Sequence, residues 1–307
     1  MRLAIIDIGT NTFNLLIAER KSTKFSFLHE EKIPVKLGEG GMLEQKIQPE
    51  AFQRGIEAMI LFSQFARSYQ CEKIIAYATA AVRSALNGNE FKEAVFKKTN
   101  IEIQIINGEK EAAFIATGAR HAVAWEDQAL IMDIGGGSTE FIIADKTSNQ
   151  YVISTSLGVS RLKEMFSLPD PAETENVLSL REYIRSQLAP VEGEVKQHNV
   201  TSLVGCAGSF DSLATIICMK KEGRPFDFKK NSSFTFPVGN LNLLLEELIV
   251  STAYQRAVMP GLPVFRQPFM VYAAVLIQET IERFGIKSVY LSTYSLKEGA
   301  LYESSYE

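Results

Sequence analysis

Two segments of the chain repeat one motif, in which a single carboxylate precedes a glycine-rich turn. IIDIGTNTFNLLIA begins at Ile5 and IMDIGGGSTEFIIA begins at Ile131. In each, an apolar run ends at Asp-Ile-Gly, small polar residues follow and a second apolar run returns, which predicts a strand, a tight turn and a second strand. Glycine lets a turn approach an anion closely, and successive N–H groups in such turns form anion-binding nests. Two of these turns facing each other across a cleft would surround a phosphate chain.

The repeated carboxylates, Asp7 and Asp133, are candidate ligands of Mg²⁺, directly or through water. The turn residues predicted to bind phosphate are Gly9, Thr10 and Asn11 in the first motif and Gly135, Gly136, Gly137 and Ser138 in the second. The alternative is a glycine-rich hairpin whose Asp pairs with its own backbone. That alternative suffices for one such turn, whereas two in register favour phosphate binding.

Arg83 is a candidate phosphate ligand in the segment ATAAVRSALN, residues 78–87. If the segment is helical from Thr79, then Thr79, Arg83 and Asn87 share one face, and Arg83 offers a fork of donors suited to phosphate. A solvated surface arginine explains this segment alone equally simply. A second turn of small residues, GCAGS, places Gly208 and Ser209 before a predicted helix, where an anion could bind or where backbones could simply pack closely.

Two glutamates are candidate catalytic acids or bases. Gly108 ends a predicted strand, and Glu111 lies in the first turn of the helix that follows. A carboxylate there could orient an attacking water, although acidic residues also favour helix starts without any catalysis. Glu140 follows DIGGGST directly, beside the expected phosphate. It would need a cation or water as a neighbour if it is not simply an exposed strand residue.

The elements that carry these residues alternate in the manner of an α/β chain with mixed sheets. Strands are predicted at 2–8, 13–19, 25–29, 73–78 and 101–106, and again at both arms of the second motif, 151–156, 201–206 and 287–292. Helices are predicted at about 49–69, 89–98, 109–123, 158–166, 171–188, 210–219, 238–258, 269–284 and 296–302, and the segment 220–237 is predicted to be an irregular loop. The chain contains no P-loop motif, and DIGGGS runs into strand residues rather than opening a helix, which excludes a dinucleotide-binding turn.

Bulk properties narrow the class of protein. The chain has 307 residues and a net charge of −4, which argues against broad binding to nucleic acid polymers. Three scattered cysteines favour a reducing compartment, and the lack of a signal peptide or a long apolar run predicts a cytoplasmic protein without a membrane partner. Five cations between Lys220 and Lys230 could form a track for a long polyanion, although a solvated loop is the simpler interpretation.

Taken together, these segments resemble the exopolyphosphatase and guanosine pentaphosphate phosphohydrolase (Ppx/GppA) family, within the superfamily of actin, sugar kinases and Hsp70. The resemblance runs nearly end to end. It rests on DIGTNTFNLLI at 7–17, ATAAVRSALN at 78–87, INGEKEA at 106–112, DIGGGSTE at 133–140, the GCAGS turn and LKEGALYE at 296–303. The Asp-Ile-Gly repeats alone indicate only the superfamily. The blocks around Arg83 and Glu111 make the resemblance specific to the family.

The resemblance implies two actin-like, ribonuclease-H-like α/β domains with the active site in the cleft between them. The expected division is 1–123 and 124–307, with the last helix, about 296–307, packing back on the first domain. It further implies hydrolysis of a terminal phosphoanhydride with Mg²⁺ or another divalent cation. In that family pattern Glu111 matches the general base, Arg83 the phosphate-binding arginine and Glu140 the second active-site acid.

The chain departs from the family pattern at three places. Lys110 replaces the first glutamate of the usual S-G-x-E-E-A block, and Lys297 stands where an arginine usually precedes Glu-Gly. PVFRQP, residues 263–268, keeps Arg266 but lacks the acids of the usual P-x-E-R-A-D, which leaves no role assigned to that loop. Because the chain ends at Glu307, it resembles the short class of the family that contains the catalytic pair of domains alone.

The first hypothesis is therefore an exopolyphosphatase that releases terminal phosphate from inorganic polyphosphate, with pppGpp as the alternative substrate. Two others remain open: an ATP-dependent kinase on the same scaffold, and a non-catalytic binder of polyphosphate or an alarmone. The sequence does not distinguish polyphosphate from pppGpp. A symmetric homodimer is the default expectation for the oligomeric state.

Overall fold

The computed structural model describes residues 1–21 and 24–304. The first half of the chain forms a five-stranded sheet and four helices. Its strands are β1 (Arg2–Ile8), β2 (Phe13–Lys21), β3 (Lys24–Ile33), β4 (Lys73–Ala78) and β5 (Ile103–Ile105). Its helices are α1 (Pro49–Ser68), α2 (Ala80–Ser84), α3 (Gly88–Thr99) and α4 (Gly108–Ala122).

Up to residue 304, the second half forms a six-stranded sheet with seven α-helices and one 3-10 helix at Val264–Phe269. Its strands are β6 (Ala129–Ile134), β7 (Thr139–Ala144), β8 (Asn149–Thr155), β9 (Ser202–Cys206), β10 (Ser233–Phe236) and β11 (Ser288–Ser292). Its α-helices are α5 (Val159–Phe166), α6 (Thr174–Gln197), α7 (Ala207–Glu222), α8 (Val238–Val250), α9 (Ala253–Ala257), α10 (Met270–Phe284) and α11 (Leu296–Glu303).

The two sheets have equivalent topologies. The first has the order β3-β2-β1-β4-β5 and the second β8-β7-β6-β9-β11, with β10 added at the far edge. In both, the first three strands form an antiparallel meander and the next two pair in parallel with it. The repeated motif is thus the visible part of a duplication that covers two whole sheets. These mixed sheets confirm the α/β class that the sequence predicts.

The central strands β1 and β6 are buried on both faces, which explains their nearly continuous apolar sequences. One hydrophobic cluster joins the two sheets, and it includes Ile5 of β1, Ile131 of β6, Ile115 of α4 and Leu301 of α11. Each half therefore shares part of its core with the other.

Helices α4 and α11 form the join, because each packs on the sheet of the other half. Helix α4 contacts β7 and β8, and α11 contacts β1 and β2, while the two helices pack against each other. Their backbones touch at two glycines. A Cβ on Gly299 would lie 1.7 Å from the carbonyl oxygen of Phe114, and one on Gly118 would lie 2.3 Å from that of Ser295. Only glycine permits so close a crossing. The division of the chain at residue 123 stays a prediction.

The structure corrects four element boundaries. Helix α2 ends at Ser84, so Asn87 does not share a face with Arg83; its amide instead pairs with both backbone groups of Ile47 at 2.9 Å. The helix predicted to end at residue 188 continues through Pro190 to residue 197, because Val191 and Val195 extend its buried stripe.

The other two corrections lie near residues 220–258. The predicted helix 238–258 is broken into α8 and α9, since Thr252 starts a new helix through a capping box with Gln255. The predicted loop 220–237 contains the edge strand β10, which pairs antiparallel with β11. No helix within residues 1–21 and 24–304 is long and apolar enough to cross a membrane.

Candidate active site

The two repeated motifs form hairpins with the same geometry. In the first, the N–H of Gly9 donates to the carbonyl of Thr12 at 3.2 Å; in the second, the N–H of Gly135 donates to the carbonyl of Ser138 at 3.0 Å. Each bond closes a turn directly after the Asp-Ile-Gly strand. The repeat in sequence is thus a repeat in hydrogen bonding.

In the first turn the carbonyl groups are bonded by the segment that follows β3. The N–H of Lys36 donates to the carbonyl of Asn11 at 2.8 Å, and that of Gly38 donates to the carbonyl of Thr10 at 3.0 Å. These two bonds fix the carbonyls of the first turn on the side of that segment.

In the second turn the start of α5 has the same role. The N–H of Val159 donates to the carbonyl of Gly135 at 3.0 Å, and that of Ser160 donates to the carbonyl of Gly136 at 2.9 Å. Gly158 makes this approach possible, since a Cβ there would lie 2.3 Å from the Gly136 carbonyl oxygen. Both turns are therefore held from behind by the segment after the third strand of their sheet.

The backbone N–H groups of Thr10, Asn11, Gly136 and Gly137 have no hydrogen-bond acceptor within the described part of the chain. All four residues are buried. N–H groups that lack an acceptor within the chain can donate to a bound anion, and an anion with several oxygens could accept from both turns at once.

The two turns meet tip to tip. A Cβ on Gly136 would lie 2.8 Å from both Asn11 Nδ2 and Thr10 Cβ, and one on Gly137 would lie 3.0 Å from Thr10 Oγ1. The Asn11 side chain spans the contact: its Oδ1 accepts from Ser160 Oγ at 2.7 Å, whereas its buried Nδ2 has no partner in the described structure. The side chains of the first turn thus occupy space that the glycines of the second leave open.

The repeated aspartates lie behind the turns, and a protein donor holds one oxygen of each. Asn14 Nδ2 donates to Asp7 Oδ2 at 2.8 Å, and Ser295 Oγ donates to Asp133 Oδ2. Burial raises the pKa of Asp7 to about 7 against the opposing effect of Asn14. Burial likewise raises the pKa of Asp133 to about 6 against that of Ser295.

A divalent cation bound beside these carboxylates would favour their ionised forms and oppose the effect of burial. No cluster of three or more His, Cys, Asp or Glu side chains suited to a metal occurs among residues 1–21 and 24–304. Mg²⁺ at phosphoryl-transfer sites needs only one or two carboxylates, since substrate phosphates and waters complete its shell. Asp7 and Asp133 together fit that pattern.

Glu111 lies buried in the first turn of α4, where the N-cap residue Asn107 accepts from the N–H of Lys110. Arg83 Nη1 donates to Glu111 Oε2 at 2.7 Å and to the carbonyl of Ile106 at 3.0 Å. Burial raises the pKa of Glu111 well above its ordinary value, and the charge of Glu140 raises it further, while Arg83 opposes both. The structure therefore pairs the two residues that the sequence singled out separately.

Glu140 is fully enclosed beside Asp133, its partner across the β6–β7 hairpin. Burial and then the charge of Asp133 raise its pKa to about 7. Ser154 Oγ donates to Glu140 Oε1 at 2.7 Å. Ser154 also packs on the start of α4, since a Cβ on Gly108 would lie 2.7 Å from Ser154 Cβ. One serine thus joins the Glu140 strand to the helix of Glu111.

An arginine to which the sequence assigned no role packs against the GCAGS turn. Arg266 is buried, and its guanidinium lies against the backbone of Gly208, where a Cβ would be 1.9 Å from Nη2. Ser209 is buried in the first turn of α7. The glycine is explained by this close packing, and the same packing brings a cation to the helix start.

Several other residues are placed by the structure. Thr79 is buried at the start of α2, and the ammonium of Lys110 lies 5.5 Å from the centre of the Tyr77 ring. Lys297 pairs with Glu30 at 3.1 Å and with Glu298. Of the 220–230 cations, Lys220, Arg224 and Lys230 form surface ion pairs with Glu247, Glu222 and Asp227 respectively, as expected for a solvated surface.

Sequence reasoning missed Asn14, Ser154 and Ser295. The first could have been found, because a two-stranded hairpin with its turn at residues 9–12 places residue 14 opposite Asp7. No local signal marks Ser154 or Ser295, which depend on the packing of distant elements.

Known proteins are similar to this chain both in sequence and in structure. The model of the Ppx/GppA phosphatase family matches residues 16–306. Exopolyphosphatase 1 of Mycobacterium tuberculosis is 27% identical over 304 residues, which cover 98% of this chain and 87% of that protein.

Solved structures agree. The crystal structure of an exopolyphosphatase from Cytophaga hutchinsonii superposes with a TM-score of 0.95 and 33% identity, covering 99% of this chain and 97% of that one. The Ppx/GppA family member of Aquifex aeolicus superposes with a TM-score of 0.83 and 24% identity, covering 100% and 98%. The α/β fold expected from the sequence is confirmed, and the chain belongs to the Ppx/GppA phosphatase family of phosphoanhydride hydrolases.

Proposed function

We propose that this protein is an exopolyphosphatase that hydrolyses the terminal phosphoanhydride bond of inorganic polyphosphate with Mg²⁺. The observation that carries the proposal is a set of four backbone N–H groups on two facing turns, which belong to buried residues and have no acceptor in the described part of the chain. A linear polyanion supplies many acceptor oxygens in a row, and the relatives that match along the whole chain are named exopolyphosphatases.

The turns bind the terminal phosphates from two sides. The N–H groups of Thr10, Asn11, Gly136 and Gly137 donate to phosphate oxygens, and Asn11 Nδ2 adds a side-chain donor from its buried position. Because these donors are fixed by the backbone bonds behind each turn, they need no rearrangement as charge moves in the transition state. Asp7 and Asp133 would hold Mg²⁺, which supplies neutralisation of phosphate charge when bound.

Glu111 is the proposed base. A water positioned by its carboxylate attacks the terminal phosphorus, Glu111 takes the water's proton, and the bond to the bridging oxygen breaks with its electrons going to the shortened chain. Burial and Glu140 raise the pKa of Glu111 towards the range in which a base works best near neutral pH. Arg83, already bonded to Glu111, can place its remaining donors on the departing phosphate.

The test is phosphate release from long polyphosphate, short polyphosphate, pppGpp and ATP, each with and without Mg²⁺. The proposal expects Mg²⁺-dependent release from both polyphosphates and slower release from the nucleotides. Faster release from pppGpp would replace polyphosphate as the substrate. Phosphorylation of an acceptor with ATP and no release from polyphosphate would contradict hydrolysis, and tight binding without turnover would indicate a binder.

The base is tested with a matched pair of variants in one helical turn. Glu111→Gln should lower release from polyphosphate by roughly 10²- to 10⁴-fold, the usual range for loss of a general base. Glu109→Gln, two residues away and exposed, should leave it unchanged. Circular dichroism checks that both variants fold. Wild-type turnover in Glu111→Gln would remove Glu111 from the mechanism.

A further inference from the structure

The two aspartates behind the turns are held in different ways. Asp7 is bonded by Asn14, its direct partner across the same hairpin. The equivalent partner of Asp133 is Glu140, a carboxylate that cannot donate when ionised. The donor for Asp133 comes instead from Ser295, which is remote in the sequence. The second half therefore replaces a local donor with one from the last helix of the chain.

Ser295 is fixed from both of its sides. Its N–H donates to Glu298 Oε2 at 2.9 Å at the start of α11. Its carbonyl oxygen lies against Gly118 of α4, where a Cβ would be only 2.3 Å away. Since α4 also carries Glu111, the position of the Ser295 hydroxyl relative to Glu111 is set by the backbone crossing of two helices.

The chemistry of the bond favours a positioning role. A serine hydroxyl can donate one hydrogen bond, and that of Ser295 donates to Asp133 Oδ2. The other oxygen of Asp133 has no hydrogen bond among the described residues and is left for a cation. A carboxylate fixed in this way binds a metal without losing rotational freedom on binding. Partners of metal ligands of this kind are worth roughly 10- to 100-fold in metal affinity or activity.

We propose that Ser295 is a positioning residue that orients Asp133 to bind the divalent cation at a fixed distance from Glu111. The cation belongs to the proposed function, and the inference rests on it to that extent. Lys297, which follows Ser295 on α11, pairs with its neighbour Glu298 and with Glu30 on β3. These contacts anchor the start of α11 to the first sheet. The C-terminal helix thus links Asp133 in the second half to the structure of the first.

The test is direct binding of Mg²⁺ by titration calorimetry, without substrate, to the wild type and three variants. Ser295→Ala removes the hydroxyl, and Ser295→Gly removes it while keeping a residue that caps helices nearly as well. Ser304→Ala is the control, since Ser304 caps the other end of α11 and its hydroxyl donates only to the carbonyl of Leu301. Both Ser295 variants should bind Mg²⁺ about tenfold more weakly, and the control should bind like the wild type.

Kinetics supply the second readout. Both Ser295 variants should need about tenfold more Mg²⁺ for half-maximal phosphate release, with the KM for polyphosphate changed less than about twofold. Thermal unfolding in the absence of metal should show all three variants folded. Loss of affinity in Ser295→Ala but not in Ser295→Gly would reduce Ser295 to a helix cap and overturn the inference.

Other outcomes separate this inference from the function it rests on. Wild-type affinity in both Ser295 variants, an equal loss in Ser304→Ala, or no binding of Mg²⁺ by the wild type would each overturn it. If Mg²⁺ binding depends on Ser295 but polyphosphate is not hydrolysed, the positioning role holds and the proposed substrate fails. If polyphosphate is hydrolysed and Mg²⁺ binding ignores Ser295, the reverse is true.

Discussion

The two halves place different side chains at equivalent positions of the same sheet. Behind the first turn, a row across β1, β2 and β3 reads Asp7, Asn14, Lys32. Behind the second, the row across β6, β7 and β8 reads Asp133, Glu140, Ser154. One row contains a carboxylate, an amide and a cation, and the other contains two carboxylates and a hydroxyl.

In the proposed function, this difference corresponds to separate tasks of the two halves. The task of the first row is to bind charged groups, because Asn14 donates to Asp7 and Lys32 pairs with Asp211 of the second half at 3.8 Å. The second row gathers negative charge in a buried place, and the helix exchange brings Glu111 to it from the first half. The two rows of the duplicated scaffold differ at two of their three positions, Asn14 against Glu140 and Lys32 against Ser154. The tips of the two turns are also unequal, because the first carries the side chains of Thr10 and Asn11 and the second has glycines.

The largest expected effect is the difference in turnover between variants of the two middle residues, Glu140 and Asn14. In the proposed mechanism Glu140 is an acid next to the reacting phosphate, so Glu140→Gln should lower turnover of polyphosphate by about 10²-fold. Asn14→Ala should lower it by about tenfold, since it only releases Asp7, the carboxylate proposed to bind the cation. Steady-state phosphate release measures both. Equal losses would mean that the two rows have the same task.

The second prediction tests whether the turns need their unequal tips. A methyl group on Gly136 would lie 2.8 Å from Thr10 Cβ, which belongs to a stiff, β-branched side chain. Gly136→Ala should therefore push the turns apart and lower kcat/KM by roughly 10- to 10²-fold, as expected for a displacement of under 1 Å. Gly193→Ala, at a glycine with open space around its Cβ position, is the control. Unchanged kcat/KM in Gly136→Ala would show that the turns need not touch during turnover.

The third prediction concerns pH and stability. Burial holds the pKa of Asp7 at about 7, that of Asp133 at about 6 and that of Glu140 at about 7. The folded chain therefore binds more protons than the unfolded chain between about pH 4.5 and 7, so stability falls as pH rises through that interval. Urea unfolding in EDTA at pH 5 and pH 8 measures the fall.

The row that contains Asp133 and Glu140 should cause much of this fall in stability. Glu140→Gln should reduce the fall on the order of 1–3 kcal/mol, because one buried acid no longer has to ionise. Adding Mg²⁺ to the wild type at pH 8 should also reduce the fall in stability, since a bound cation favours ionised carboxylates. Glu109→Gln should change neither value. A wild type more stable at pH 8 than at pH 5 in EDTA would contradict the raised pKa values.

The sequence predicts the local parts of this site and not the distant ones. The turns, their aspartates and Glu111 follow from short motifs, because glycine and Asp have fixed meanings at the end of a strand. The contact between the turns and the bond from Ser295 to Asp133 depend on how two sheets share α4 and α11. No periodicity encodes that exchange. Only Gly118 and Gly299 hint at it, and single helical glycines have many causes.

The helix boundaries fail for the same reason. The end of α2 is decided by Asn87, whose amide bonds to both backbone groups of Ile47 on a different segment. Helix α6 runs through Pro190, although an interior proline costs a helix about 3 kcal/mol. Beyond the proline, Val191 and Val195 are buried in the hydrophobic core of the second half. In both places tertiary contacts outweigh local preference.

The smallest expected effects compare Lys32 of the first row with the surface cluster of cations at 220–230. Lys220, Arg224 and Lys230 are each engaged by a neighbouring acid, and exposed pairs of this kind contribute little to any field at the cleft. Reversing the charges of Lys220, Lys221 and Arg224 should therefore change the KM for long and short polyphosphate by less than about twofold. Lys32→Ala, which removes a cation facing the second half, should raise the KM for both by severalfold. A large rise for long chains alone in the triple variant would show instead that the polyanion runs over the 220–230 surface, and the binding task would then extend to the second half.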